Sequence, residues 1–124
     1  MQLLNLKNNY YSGKFAETIA KIYLLLKGYS IVSSRYSATR GTSAGEIDII
    51  AKRFHTIVFI EVKKRKTIDI AKEVIFKKQQ NRIYRSAEIF LSHNNKYKNY
   101  NCRFDAICFN KYYRFTHIKN AWGF

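Results

Sequence analysis

Two runs of β-branched and aromatic residues, 46–51 and 56–63, are separated by only the short segment Lys52 to His55. Runs of that composition at that spacing predict an antiparallel hairpin. The stronger constraint is what the runs contain: Glu46, Asp48 and Glu61 are embedded among Ile47, Ile49, Val58, Ile60 and Val62. Side chains two apart on a strand share a face, so Glu46 projects with Asp48, and Glu61 with Lys63. Pairing the strands sets these groups side by side. A carboxylate held among aliphatic side chains is costly to desolvate unless a cation or strong donors compensate it.

The remaining segments supply what such a hairpin packs against. Residues 12–27 have apolar positions at helical spacing, with Ser12 available as a cap and Gly28 as a stop, and residues 1–11 are expected to precede the helix as a poorly ordered segment. Residues 29–36 predict a strand, and 37–44 a flexible loop carrying Arg40. Helical periodicity returns over 71–92, where Phe76, Gln80, Ile83, Tyr84, Ala87 and Leu91 form one stripe, followed by a solvated loop over 93–101. The runs at 102–109 and 113–118 predict a last strand pair. The order is α-β-β-β-α-β-β, an α/β fold with a mixed sheet flanked by helices. At 124 residues the chain suits a single domain.

Charge points to the partner. The 23 Lys and Arg against 8 Asp and Glu leave a net charge of +15, which suits a polyanion such as nucleic acid better than a neutral small molecule. No run approaches the ~18 apolar residues of a membrane span, and the N-terminus lacks the long apolar core of a signal peptide. A cytoplasmic protein with no membrane partner is expected, with Cys102 and Cys108 as free thiols.

Two or three convergent carboxylates in a basic chain make a divalent cation a natural third party. Mg²⁺ favours oxygen ligands and keeps several waters, so a site with few protein ligands suits it; Mn²⁺ is the alternative ion. Lys63, on the face of Glu61, can stabilise charge developing on a scissile phosphate. Asp48, Glu61 and Lys63 therefore fit metal-dependent phosphodiester hydrolysis. A blander reading also fits the spacing: Glu61 with Lys63, and Glu46 with Lys52 or Arg53, as solvated pairs on an exposed sheet face.

The stretches "GEIDIIA" and "FIEVKKR" resemble the core of the PD-(D/E)XK nuclease superfamily. With "GKFAETIAKIYLLLKGY", "CRFDAICF" and "HIKNAW", the pattern over residues 13–122 resembles the YraN-like family of predicted endonucleases, regarded as distant relatives of archaeal Holliday junction resolvases. The resemblance implies a restriction-endonuclease-like fold and a metal site of Asp48, Glu61 and the Val62 carbonyl, with Lys63 as the catalytic lysine and Glu17 completing the site. Ile47 stands where the superfamily's name has proline, and residues 64–79 match the family least. The pattern Gln80-x-x-x-Tyr84 is similar to one in RecB-like members, where the glutamine shapes the active site.

Competing readings stay open at several positions. Glu17 has Lys21 at i+4 as a helix-stabilising partner. Gln80 can be satisfied by a backbone group, and Glu46 is either a ligand, a supporting group or neither. His55, His93 and His117 are too scattered to suggest a histidine site, and no phosphate loop, serine elbow or zinc spacing is present. The first functional expectation is a Mg²⁺-dependent endonuclease acting on DNA rather than RNA, including branched or junction DNA. Arg35, Arg40, Lys64, Arg65 and Lys66 would contact phosphates, and the chain would work as a homodimer. The alternative is a non-catalytic nucleic-acid-binding protein that retains the nuclease fold.

Overall fold

The hairpin forms as its residues predict. In the computed structural model, which describes residues 2–38, 45–73 and 77–122, strands β2 (Ile47–Arg53) and β3 (Thr56–Lys64) pair antiparallel, with Ile49 opposite Ile60 and Arg53 opposite Thr56. Before them come helix α1 (Gln2–Leu26) and strand β1 (Ser30–Tyr36), which pairs antiparallel with β2. After them come α2 (Ile68–Glu73), α3 (Lys77–His93), a 3₁₀ turn (Asn95–Tyr97), β4 (Asn101–Phe109) and β5 (Phe115–Trp122). β4 runs parallel to β3 and β5 antiparallel to β4, giving a mixed sheet of order β1-β2-β3-β4-β5. A parallel pair needs a long crossover, which the segment holding α2 and α3 provides.

Each sheet face buries its own core. Ala16, Ala20 and Leu24 of α1 pack on Ile49, Val58, Ile60 and Ile107. On the other face, Ile83, Ala87 and Phe90 of α3 pack on Ile50, Phe59 and Phe104. β3 lies between neighbours on both sides and helices on both faces, so Ile57 to Val62 are all buried. The small residues Ala16 and Ala20 let α1 approach the sheet closely. Its C-terminus closes as a Schellman motif: Tyr29 N–H donates to Leu24 O at 2.9 Å and Gly28 N–H to Leu25 O at 3.1 Å, with Gly28 at φ +89°.

Several boundaries differ from the sequence expectations. Residues 2–11, expected to be poorly ordered, are the first turns of α1, which contains no Pro and meets Gly only at position 13. Ser12 is therefore inside the helix rather than at its cap, and its hydroxyl accepts from Tyr113 Oη at 3.2 Å. The second helical stretch begins at Ile68, before the expected 71; Phe76 and Arg40 lie outside the described residues. The segment 93–101 is not simply solvated: Tyr97 is buried and its ring lies 6.0 Å from that of Phe90, because an aromatic at that position closes the end of the α3 core.

Candidate active site

The start of β2 and the end of β3 meet at one end of the sheet, and this places the acids. Asp48 is the second residue of β2, and its Oδ2 accepts the Val62 N–H at 2.8 Å. Glu61 lies on the neighbouring strand, 3 % exposed, with Oε1 3.1 Å from Lys63 Nζ and 3.2 Å from Gln79 Nε2. Its other oxygen, Oε2, is buried with no hydrogen-bond partner among the described residues. A buried carboxylate oxygen left unsatisfied is costly.

The two carboxyls titrate as a pair. Burial, then the charge of Glu61, pushes Asp48 up from its ordinary 3.8 to about 8, against the opposing pull of the Val62 N–H and Lys63. Burial also raises Glu61, while Lys63 and a hydrogen bond with Asp48 oppose the rise. Two carboxyls this close in a desolvated site favour sharing a proton over carrying two charges. Both shifts run in that direction even with the Lys63 ammonium 3.1 Å from Glu61.

A cleft of about 620 Å³ opens at Asp48, while Glu61, buried on the neighbouring strand, is not among the residues that line it. Glu17, Asp48, Val62 and Lys63 line it, as do Ser12, Gly13 and Ala16 of α1 and the cations Lys64, Arg65, Lys66 and Lys111. The expected Glu17 is thus beside Asp48. Its ion-pair partner is Arg35, at 2.9 Å, rather than Lys21 four residues along the helix. Arg35 has φ +52° within β1, beyond a register shift between Ile31 and Ser33, a conformation unusual for a non-glycine residue in a strand. Lys64 also stands over the Tyr113 ring at 4.6 Å.

Other expected site residues fall elsewhere. Glu46 is exposed and does not line the cleft, because the chain enters β2 at Ile47. Its neighbour Gly45 docks on α3 instead: Gly45 N–H donates to Arg82 O at 3.3 Å and its carbonyl accepts from Ser86 Oγ. A Cβ at Gly45 would come within 3.2 Å of Arg82 Cβ, so any larger residue there would push Arg82 back by a few tenths of an ångström. Tyr84 packs on the core, its ring stacked 6.2 Å from Phe104, and neither it nor half-buried Gln80 lines the cleft. The adjacent Gln79 reaches Glu61. Lys111, from the turn between β4 and β5, also joins the cleft without having stood out in the sequence.

Whether these residues suit a divalent cation follows from the donor set. Asp48 and Glu61 offer carboxylate oxygens, one of them unsatisfied, and no group of three or more His, Cys, Asp or Glu able to hold a metal occurs among the described residues. Few protein ligands, all oxygen, fit an ion that retains most of its water.

A second polar cluster lies on the α1 side of the sheet, away from the cleft lining. Asp105, fully buried, accepts Arg103 Nε and Nη2 at 2.8 and 2.9 Å, His117 Nε2 at 2.7 Å and Asn120 N–H at 2.9 Å. His117 Nδ1 meets Tyr23 Oη at 2.8 Å, tying β4 and β5 to α1. Burial alone would raise the Asp105 carboxyl, but His117, Arg103 and Asn120 together hold it below its ordinary value.

No helix among the described residues is long and apolar enough to cross a membrane. Comparison with known proteins places the chain among relatives of similar length. It is 38% identical over 110 residues to a UPF0102 protein of Paramagnetospirillum magneticum, covering 89% of this chain and 85% of that one. It is 42% identical over 96 residues to one of Rhodopseudomonas palustris, covering 77% and 72%. It is 39% identical over 113 residues to one of Francisella tularensis, covering 90% and 93%. The model of the uncharacterised protein family UPF0102 matches residues 16–109, from the face of α1 to the end of β4, and the chain belongs to that family.

Proposed function

We propose that the chain is a metal-dependent endonuclease acting on DNA, with Asp48, Glu61 and Lys63 as its catalytic residues. The observation that carries this reading is the pairing of buried Glu61, whose Oε2 has no donor among the described residues, with an Asp48 carboxyl that is raised to about 8 and lines a cleft rimmed by Lys64, Arg65, Lys66 and Lys111. A pure polyanion binder gains nothing from carboxylates facing its ligand. The resemblance of the β2–β3 hairpin to the PD-(D/E)XK nuclease core supports the same assignment.

Asp48, Glu61 and the Val62 carbonyl would hold Mg²⁺ or Mn²⁺, which supplies Lewis-acid polarisation of a phosphodiester and promotes ionisation of a water. Lys63 holds Glu61 and can donate to a non-bridging phosphate oxygen. The Val62 N–H fixes the orientation of Asp48, and Gln79 that of Glu61. Glu17, held by Arg35, adds negative charge at the cleft wall. The rim cations position the phosphate backbone without reading sequence, so selectivity would rest on substrate shape.

A second reading has one observation in its favour: Lys63 and Arg35 already neutralise Glu61 and Glu17. It is a binding module that keeps the nuclease architecture without turnover. Cleavage and binding by wild type, Asp48→Asn and Glu61→Gln on linear and branched DNA, with Mg²⁺, Mn²⁺ or EDTA, separate the two. Metal-dependent cleavage lost in both variants, with binding retained, supports the enzyme. Wild-type protein that binds but cleaves with neither metal leaves the binding module.

A further inference from the structure

The acid cleft does not end at Lys66 and Lys111. Both residues also line an adjoining groove of about 350 Å³, together with Thr67, Asp69, Asn110 and Tyr112. The groove lies between the segment leaving β3 and the turn joining β4 to β5. Backbone bonds tie these segments together: Arg65 N–H to Phe109 O at 3.0 Å and Lys111 N–H to Lys66 O at 3.5 Å.

The turn is built to hold one aromatic ring out. Asn110 Oδ1 accepts the N–H groups of Tyr112 and Arg114 at 2.9 and 3.1 Å, and Asn110 N–H donates to Arg114 O at 2.8 Å. Tyr113, at φ +63°, points its ring inward, edge-on to Phe15 at 4.9 Å, with its hydroxyl bonded to Ser12. Anchoring Tyr113 leaves its neighbour Tyr112 outward, with 73% of its surface exposed and the Lys111 ammonium 5.1 Å from its ring centroid. An exposed aromatic on a braced turn, flanked by lysines shared with the neighbouring cleft, is the arrangement on which unpaired bases stack. Bases inside a duplex are stacked on both faces and present none to such a ring.

The geometry points to this groove as a subsite for an unpaired nucleotide of a DNA strand, its base stacked on Tyr112 and its flanking phosphates on Lys66 and Lys111. This rests on the reading of the adjoining cleft as a DNA site and narrows its substrate to DNA with a single-stranded segment beside the scissile bond. Asp69, on the same wall, disfavours a phosphate there and offers an acceptor to a base N–H.

The test uses the full chain in EDTA, with fluorescein-labelled oligothymidylate, a blunt duplex, and a single strand carrying 2-aminopurine. Wild type should bind oligothymidylate and quench 2-aminopurine. Tyr112→Ala should weaken oligothymidylate binding roughly tenfold and abolish the quenching while changing duplex binding less than about twofold. Tyr112→Phe should behave as wild type, since the ring and not the hydroxyl is used. No oligothymidylate binding by wild type, or a Tyr112→Ala defect equal on both ligands or absent from both, overturns the subsite. Metal-dependent cleavage run in parallel tells the two readings apart. Loss of the stacking signature with cleavage intact removes this subsite only, whereas absent cleavage with the signature present removes the nuclease and leaves the subsite.

Discussion

The Asp48 carboxylate accepts the Val62 backbone N–H at 2.8 Å, so the acid on β2 is bonded to the residue that follows the acid on β3. One contact extends the hairpin beyond its ladder and fixes the approach of the two carboxyls. It also explains why a site so costly in charge is held in place: the strand pairing that desolvates Asp48 is the pairing that presents Glu61.

Asp48→Asn keeps an acceptor for that N–H and removes the charge. The folded-state value is raised from 3.8 to about 8, so ionising Asp48 opposes folding increasingly as pH rises through that window. The metal-free variant should melt a few °C above wild type at pH 8 to 9, with the difference shrinking towards pH 4. It should lose cleavage by at least about a hundredfold. Thermal melts across pH check the first; a variant less stable than wild type at pH 9 would contradict the assignment of Asp48 as a strained acid.

Binding of Mg²⁺ or Mn²⁺ should release a proton. At pH 7 the Asp48–Glu61 pair holds one, and a carboxyl must lose it to act as a ligand. Calorimetry in buffers of different ionisation enthalpy should report close to one proton released per ion at pH 7, falling towards zero above pH 9. Proton release independent of pH would mean the ion binds elsewhere.

Asp105→Asn should be strongly destabilising. The substitution leaves the Arg103 guanidinium beside a neutral amide that cannot accept its fork, at a cost of about 3–5 kcal/mol for a broken buried pair. Because Asp105 is held below its ordinary 3.8, its contribution is complete above that value and is lost as pH falls through the lower, folded-state value. Wild type should therefore lose stability steeply in acid, and the variant less so. Denaturant melts at pH 7 and pH 3 measure both, and a difference between the two proteins that does not narrow at pH 3 would count against this network.

DNA binding should weaken with salt, and each rim cation removed should flatten the dependence. For Lys64→Ala, Arg65→Ala and Lys66→Ala the slope of log binding constant against log salt on duplex DNA should fall by ~0.9 for each phosphate the variant no longer neutralises. Titrations at several salt concentrations measure it. An unchanged slope would show that these residues, though they line the cleft, do not meet phosphate.

Sequence and structure divide along physical lines. The hairpin was legible because alternation and turn spacing are local: 46–51 and 56–63 pair nearly as their residues predict, and Gly28 stops α1 through its own left-handed backbone. The start of α1 was misplaced because Ser12 has a capping side chain, yet the helix continues through it and Tyr113 takes its hydroxyl. Gln80 stands out by position on an apolar stripe, whereas nothing along the chain singles out its neighbour Gln79, whose amide reaches Glu61. The rotation of α3 on the sheet, set partly by Gly45 against Arg82 and Ser86, is invisible along the chain.

The amino-acid sequence by itself determined the order of elements, the excess of positive charge, and the adjacency of Asp48, Glu61 and Lys63, since strand periodicity and composition act within a few residues. Only the tertiary structure decided that Glu17 pairs with Arg35, that Lys111 completes the basic rim, that Asp105 is held by hydrogen bonds from Arg103, His117 and the Asn120 N–H, and that one oxygen of Glu61 is left unsatisfied. Each of these depends on packing between segments distant in sequence, where burial and electrostatic compensation are properties of the assembled core.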